Sequence, residues 1–360
     1  MPTDRIKKID LYIGRNTLQG CFLMLAALVI LFSFLELLSQ LNDVGKGQFR
    51  LVDAFIYVAL TIPKQAVILM PMSALIGSTV ALGMMADHHE LTAMQAAGIS
   101  VQRISLAVVG TSLILMLIAI FLTEFVAPPL DQYARLRRSE ARYGRTALMS
   151  KNGFWVRQDR FFIHVGGSFS ARQATEVELF ELDEAGRIRQ FIYARTATMQ
   201  EDRSWLLEGV SQQVVRDDII HHENIGQYRL DHFLTPDQMQ ILKLPPDSLS
   251  LSALYEYPRG LEDLEQNAEV YEYAFWQKIC QPVTTAVMVL FALTFIFGPV
   301  RVRSAGKRIA TGVLVGIMFY FLNQILGHVG LLFNLPPVLT TLAPVGLILL
   351  FALRQLRHTF

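Results

Sequence analysis

An α-helical membrane protein of six transmembrane helices, with an inserted all-β domain of jelly-roll or sandwich type, is the fold this sequence predicts. Three observations predict it. Six apolar runs reach the roughly 20 residues a helix needs to cross a bilayer: Leu18–Leu41, Val52–Met85 (broken by Pro63, Lys64, Gln65 and Pro71), Ile99–Val126, Phe275–Val300, Ile309–Phe333 and Pro336–Leu353. Between the third and fourth lies a long stretch that carries most of the charge and no spanning run. Within it, short extended segments alternate with turn signals. The expected organisation is helices one to three in residues 1–130, a soluble β-domain in 131–268, and helices four to six in 269–360.

Composition sets the same bounds. At 52% hydrophobic residues and a mean hydropathy of +0.36, the chain is too apolar for a soluble protein of 360 residues, yet too charged to be all membrane. A net charge of +1 leaves no basic excess for a phosphate backbone, which argues against nucleic acid. The first apolar run is too long for a cleavable signal peptide and lacks a small-residue cleavage site, so it reads as a retained helix. Arg5, Lys7, Lys8 and Arg15 precede that helix and place the N-terminus in the cytoplasm by the positive-inside rule. Counting spans from there puts residues 87–103 inside and the β-domain outside. The basic loop Arg301, Arg303, Lys307, Arg308 and the end Arg354, Arg357 then fall inside, as the rule requires. Cys21 and Cys280 fall at opposite membrane faces, so no disulfide between them is expected.

The outer domain reads as strands. Trp155 and Val156, then Phe161, Phe162, Ile163 and Val165, fit a hairpin around Gln158–Arg160. Val177 to Leu182 and Ile188 to Thr196 flank a turn at Asp183–Gly186, and Trp205, Leu206, Leu207, Val214 and Val215 continue past a turn at Glu201–Ser204. Short strands at regular spacing suggest a sandwich or open jelly roll. Residues 247–267 carry helix-start chemistry at Asp247 or Ser250 and read as a short helix leading back to the membrane.

One polar interruption in the membrane part stands out: Asp87 to Ser100, DHHELTAMQAAGIS, between the second and third spans. Glu90 heads a run of two or three helical turns, and Gly98 supplies the C-terminal stop. On the cytoplasmic side, such a helix is a docking handle for a soluble partner. The chain carries no P-loop: Gly306 and Lys307 are followed by Arg308, with no glycine five places earlier. No HExxH or CxxC is present, and His88 and His89, neighbours about 100° apart on a helix, read as solvated residues beside a helix start rather than a metal pair.

The chain resembles the permease subunits of the lipopolysaccharide exporter of Gram-negative bacteria, the LptF/LptG family. The resemblance runs through Ile9–Gly14 (IDLYIG), Ile62–Lys64 with Pro71–Leu75, Glu90–Gly98, Val126–Pro128, Leu234–Met239 (LTPDQM) and Gln281–Arg301, followed by Gly306, Arg308, Gly312 and Phe319–Phe321. The last stretch is similar to the LptG branch more than to LptF. The resemblance implies an inner-membrane permease with a periplasmic β-domain. It also implies a sister LptF-like permease, an LptB-like ATPase dimer that binds the ATP and Mg, and an LptC-like single-helix bridge protein. This chain itself would hold no cofactor and catalyse no bond chemistry.

The resemblance also assigns residues. Glu90 matches the glutamate that enters the ATPase groove, with Leu91, Met94, Gln95 and Gly98 completing the coupling helix. Arg135 and Arg138 sit where the family has arginines for lipopolysaccharide phosphates; a solvated linker helix at headgroup depth is the alternative. The lysines that LptG relatives carry at the outer end of helix one are replaced here by Glu36, Asn42 and Asp43, with Lys46 slightly later. Glu36, a carboxylate in an apolar run, either faces a cavity or partner or pairs with Lys46 or Lys64. In the β-domain, Phe161, Ile163, Leu179, Phe191 and Trp205 are either cargo-contacting or ordinary core, and Phe162 and Phe180 mark the face to probe for cargo. Asn323, Gln324 and His328 on helix five either face the cavity or join helices. The competing function classes are a secondary transporter, which would need midplane charges, and a membrane-anchored periplasmic sensor, which would need a cytoplasmic output domain. Neither feature is visible.

Overall fold

A computed structural model describes residues 2–143, 154–158, 161–167, 169–170, 173–183, 187–200, 204–216, 219–230, 245–255, 268–297, 305–333 and 335–357. The family-like segment Leu234–Met239 and most of the basic loop, residues 298–304, lie outside these. The chain forms two compact units, one of residues 1–38, 58–131 and 272–360, the other of residues 39–57 and 132–271.

All six expected spans are helices long and apolar enough to cross a membrane. They lie in α1 (Pro2–Leu41), α2 (Leu51–Asp87), α4 (Val101–Phe121) with its continuation, α6 (Ala268–Phe297), α7 (Ala305–Leu332) and α8 (Pro337–Arg357); α3 (Glu90–Ala96) is the short helix between α2 and α4. The sequence reads the second span as interrupted around Pro63 and Pro71, yet α2 runs through both. Proline removes a helical N–H, and Pro71 leaves the Val67 carbonyl without its donor four residues on. Gln281 of α6 replaces it, its Nε2 donating to the Val67 oxygen at 2.9 Å. The third span likewise does not stop at Val126. Pro128 and Pro129 are absorbed by a π-turn, Leu122–Val126, in which the Ala127 N–H bonds the Leu122 carbonyl five residues back. The helix then continues as α5 (Ala127–Tyr143). Near its start Asp131, 1% exposed, holds Lys64 of α2 at 3.0 Å.

α1 and α2 meet at two glycines. A Cβ on Gly20 would stand 2.6 Å from the Gly77 carbonyl oxygen, and one on Gly77 would stand 2.5 Å from the Cys21 Cα. Only hydrogen fits there. Cys21, a buried free thiol, sits beside Ser78 at 3.3 Å.

The all-β insert is an antiparallel seven-stranded sheet of β1 (Phe154–Gln158), β2 (Phe161–Val165), β3 (Phe169–Ser170), β4 (Gln173–Leu182), β5 (Ile188–Met199), β6 (Trp205–Arg216) and β7 (Ile219–Leu230), in the order β1-β2-β4-β5-β6-β7 with β3 on β4. The expected β1–β2 hairpin is there, pairing Trp155 with His164 and Gln158 with Phe161. β7, IIHHENIGQYRL, has no apolar alternation and was not foreseen; its mostly exposed residues make a polar sheet edge.

Burial along the central strands changes phase at one row. Val177, Ala194 and Val210 are buried and in register, as are Ala174, Ala197 and Leu207, so in each strand the buried residues there stand three apart instead of two. Between those rows lie Glu176 at φ 54°, Arg195, and Gly209 at φ 65°. Register is unbroken through this row, Thr175 pairing with Thr196 and Val177 with Ala194, so no residue is inserted; the left-handed backbone at Glu176 and Gly209 accompanies the change of phase. Past β7, Ser250 caps a helical turn at 251–255, its Oγ accepting from the Ala253 N–H at 3.2 Å, as its helix-start chemistry predicts.

Candidate functional site

The expected docking helix is α3, and both its ends follow the sequence. Glu90 is its first residue. It ends in a Schellman motif: Gly98 adopts φ 86°, the Gly98 N–H bonds the Gln95 carbonyl at 3.0 Å, and the Ile99 N–H reaches back to Met94 at 3.0 Å. Ser100 immediately caps α4. His89, expected to be a bystander, is the N-cap and takes the left-handed conformation at φ 60°. The five residues assigned to coupling divide by face. Leu91 is buried, and Met94 packs on the same apolar cluster, which contains Ile13, Ile104 and Leu293. Gln95 and Gly98 are exposed together with Thr92, Ala93, Ala96 and Ala97. Leu91 and Met94 therefore anchor the helix, while Gln95 and the small residues form its outer surface. Glu90 is half-buried and accepts a hydrogen bond from Tyr12 Oη of α1 at 3.0 Å.

Two of the cationic residues assigned to cargo, Lys46 and Arg138, converge on an aspartate. Asp43, 8% exposed, receives Lys46 Nζ at 2.8 Å, Arg138 Nη2 at 2.6 Å and Arg142 Nη1 at 3.0 Å. The Arg138 guanidinium also lies over the Tyr57 ring, 5.1 Å from its centroid. The Lys46 hydrogen bond first, and then that of Arg138, lowers the Asp43 carboxyl to about 2, so it is fully charged at neutral pH. Backbone contacts fix the loop: Gln48 N–H donates to the Ala141 carbonyl at 2.7 Å, and Gly47, at φ 61°, leaves no room for a side chain against Arg142. Arg135 reaches Asp247 at 3.4 Å, and Arg137 reaches Asp53 at 3.5 Å. Sequence reasoning treated Asp43 as a lost family lysine; its place at the centre of the cluster depends on residues 95 and 99 positions away. The local signal was the tight turn NDVGKG, which sets Asp43 and Lys46 three residues apart. Glu36 is half-buried on α1.

In the sheet, Phe162, Phe180 and Phe191 stand opposite one another on β2, β4 and β5, the last two rings 4.7 Å apart. They occupy the half-buried face. Ile163, Leu179 and Ile192, one residue along each strand, point to the other face and are fully buried, as is Trp205. Those belong to the core. On α7, Gln324 donates to Tyr320 Oη at 3.2 Å, and His328 Nδ1 meets the Gln324 carbonyl at 2.8 Å, both within the helix.

Six spanning helices, a β-insert and a short helix between spans define a multi-pass membrane protein. The chain belongs to the family described as lipopolysaccharide export system permease LptF/LptG, which it matches over residues 11–358. It is 36% identical over 341 residues to the lipopolysaccharide export system permease protein LptG of Haemophilus influenzae, covering 94% of this chain and 95% of that protein. To the LptG protein of Escherichia coli K12 it is 33% identical over 353 residues, 96% of each chain.

Proposed function

We propose that this chain is one permease of an ABC transporter that extracts lipopolysaccharide from the inner membrane and passes it toward the outer membrane. Its partners in this reading are a sister LptF-like permease, an LptB-like ATPase dimer that binds ATP and Mg, and an LptC-like bridge protein. The observation that carries the reading is α3: anchored by Leu91 and Met94, it offers an exposed face headed by Glu90 in a chain that matches the permease family nearly end to end and has no P-loop of its own. The N- and C-termini and α3 lie in the cytoplasm and the sheet in the periplasm, as the basic residues in the first turns of α1 and after α6 direct.

The cargo's chemistry fits the other two sites. At about 0.8 kcal/mol per methylene, exposing several acyl chains to water costs tens of kcal/mol, so the route stays apolar. The half-buried Phe162, Phe180 and Phe191 provide such a surface in the β-domain. Phosphates require cations, and the guanidinium groups of Arg135 and Arg138 match them in a bidentate fork. A phosphate arriving at Arg138 exchanges with Asp43 rather than entering an empty cation site. Co-purification tests the reading. Wild-type chain is expected to bring a second permease and a soluble ATPase in one detergent particle, and Glu90→Ala to lower ATPase recovery roughly ten-fold while keeping the second permease. Equal ATPase recovery with Glu90→Ala refutes the assigned contact.

A further inference from the structure

Two polar contacts tie α3 and the start of α4 to one short stretch of α1. Tyr12 Oη donates to Glu90 Oε2, and in the first turn of α4 Arg103 engages both carboxylate oxygens of Asp10, its Nε at 3.3 Å. Between the two clips, Ile13, Leu91 and Ile104 share one buried cluster. The clips themselves are solvent-accessible, with Tyr12 45% exposed. Exposed pairs of this kind add little to fold stability; they fix geometry.

Further along, α1 behaves differently. Its apolar stretch is only 6% buried, and its backbone lies tight against α2 at Gly20, where Gly77 faces it. At 1.5 Å per residue, Tyr12 stands about 12 Å to one side of that contact and Leu38 about 27 Å to the other. The long arm keeps the Ser33–Gln65 hydrogen bond to α2 at 2.9 Å.

We infer that Tyr12 and the Asp10–Arg103 pair are positioning residues that clip the docking helix to α1, so that movement of α3 turns α1 as a stiff rod about the Gly20–Gly77 contact. This rests on the reading of α3 as the ATPase-docking helix. The work of the ATPase then reaches the long, uncovered arm of α1 through these side chains.

The test uses the complete transporter in proteoliposomes and measures ATPase association, the KM for ATP, and lipopolysaccharide released per ATP hydrolysed. Tyr12→Phe is expected to leave association and KM within two-fold while lowering release per ATP by roughly three- to ten-fold, the range of one lost hydrogen bond. Asp10→Arg and Arg103→Asp are expected to lower it similarly when made alone, and the double charge swap to restore it to within two-fold. An unchanged ratio in Tyr12→Phe, or a double swap no better than its singles, overturns the clip. Glu90→Ala is run beside them as a control on docking. If it lowers ATPase association roughly ten-fold while Tyr12→Phe leaves release per ATP unchanged, the clip alone is wrong; if association is unchanged by Glu90→Ala, the docking assignment fails.

Discussion

α1 and α2 are both long membrane-spanning helices, and the more apolar of the two is the less buried. The α1 window has a hydropathy of 2.6 and is 6% buried within the chain; that of α2 has 1.9 and is 72% buried. Lipid and a protein interior make different demands. A helix facing acyl chains or a partner's apolar surface carries large side chains outward, as Phe22, Leu31, Phe34 and Leu35 do on α1. A helix packed among its own neighbours uses small and hydrogen-bonding residues, as Ala74, Gly77, Ser78 and Thr79 do on α2. Hydropathy finds both spans, but side-chain size tells which is the scaffold.

The largest effect is expected at the ion pair of the scaffold. Asp131→Ala takes from Lys64, whose side chain is 17% exposed, the buried carboxylate it bonds at 3.0 Å, and thermal unfolding in detergent should show a loss of about 3 kcal/mol, the low end for a buried pair; a loss under about 1 kcal/mol would place this end of α2 in water. Next is Gly77→Ala, whose methyl would meet the α1 backbone at Cys21. It should cost about 1–3 kcal/mol, and an engineered crosslink between α1 and α2 near residue 20 should form more slowly. On α1 the sign of the comparison reverses. Leu31→Ala should change the stability of the isolated chain by less than about 0.5 kcal/mol, yet reduce recovery of the partner permease; a stability loss matching that at Gly77 would erase the contrast between the two helices.

The smallest effect concerns pH, in the loop that follows α1. A carboxyl held below its ordinary value stabilises the fold above that value, about 4, and the contribution is lost as pH falls through the lowered value. With Asp43 at about 2, hydrogen-exchange protection of the Gln48 and Phe49 amides should hold from pH 7 to 5 and fall only between about 4 and 2. Asp43→Asn should remove that step, and a step near pH 6 would mean that another group holds the loop.

Local chemistry made much of this legible. The six spans came from apolar length, α3 from Glu90 and the Gly98 stop, and the β1–β2 hairpin and the Ser250 cap from side-chain pattern. What escaped depends on distant partners or on exceptions to local rules. Pro71 and Pro128 read as breaks because the compensating Gln281 donor and the π-turn have no signature beside them. β7 escaped because a polar edge strand has no alternation to show, and the phase change at Glu176, Arg195 and Gly209 because three separate strands must agree on it. At the sites, Glu90 was legible but Tyr12, 78 residues away, was not, and Asp43 was weighed as a missing lysine rather than as the acceptor for Arg138 and Arg142.

The most direct measurement is ATP-dependent release of lipopolysaccharide from proteoliposomes that hold the inferred transporter, with this chain present, absent, or carrying Glu90→Ala. Release is expected only with the wild-type chain, and Glu90→Ala should abolish both release and its stimulation by ATP while leaving the chain folded. Release that continues without this chain, or that is unaltered by Glu90→Ala, would contradict its assignment as the permease driven through α3.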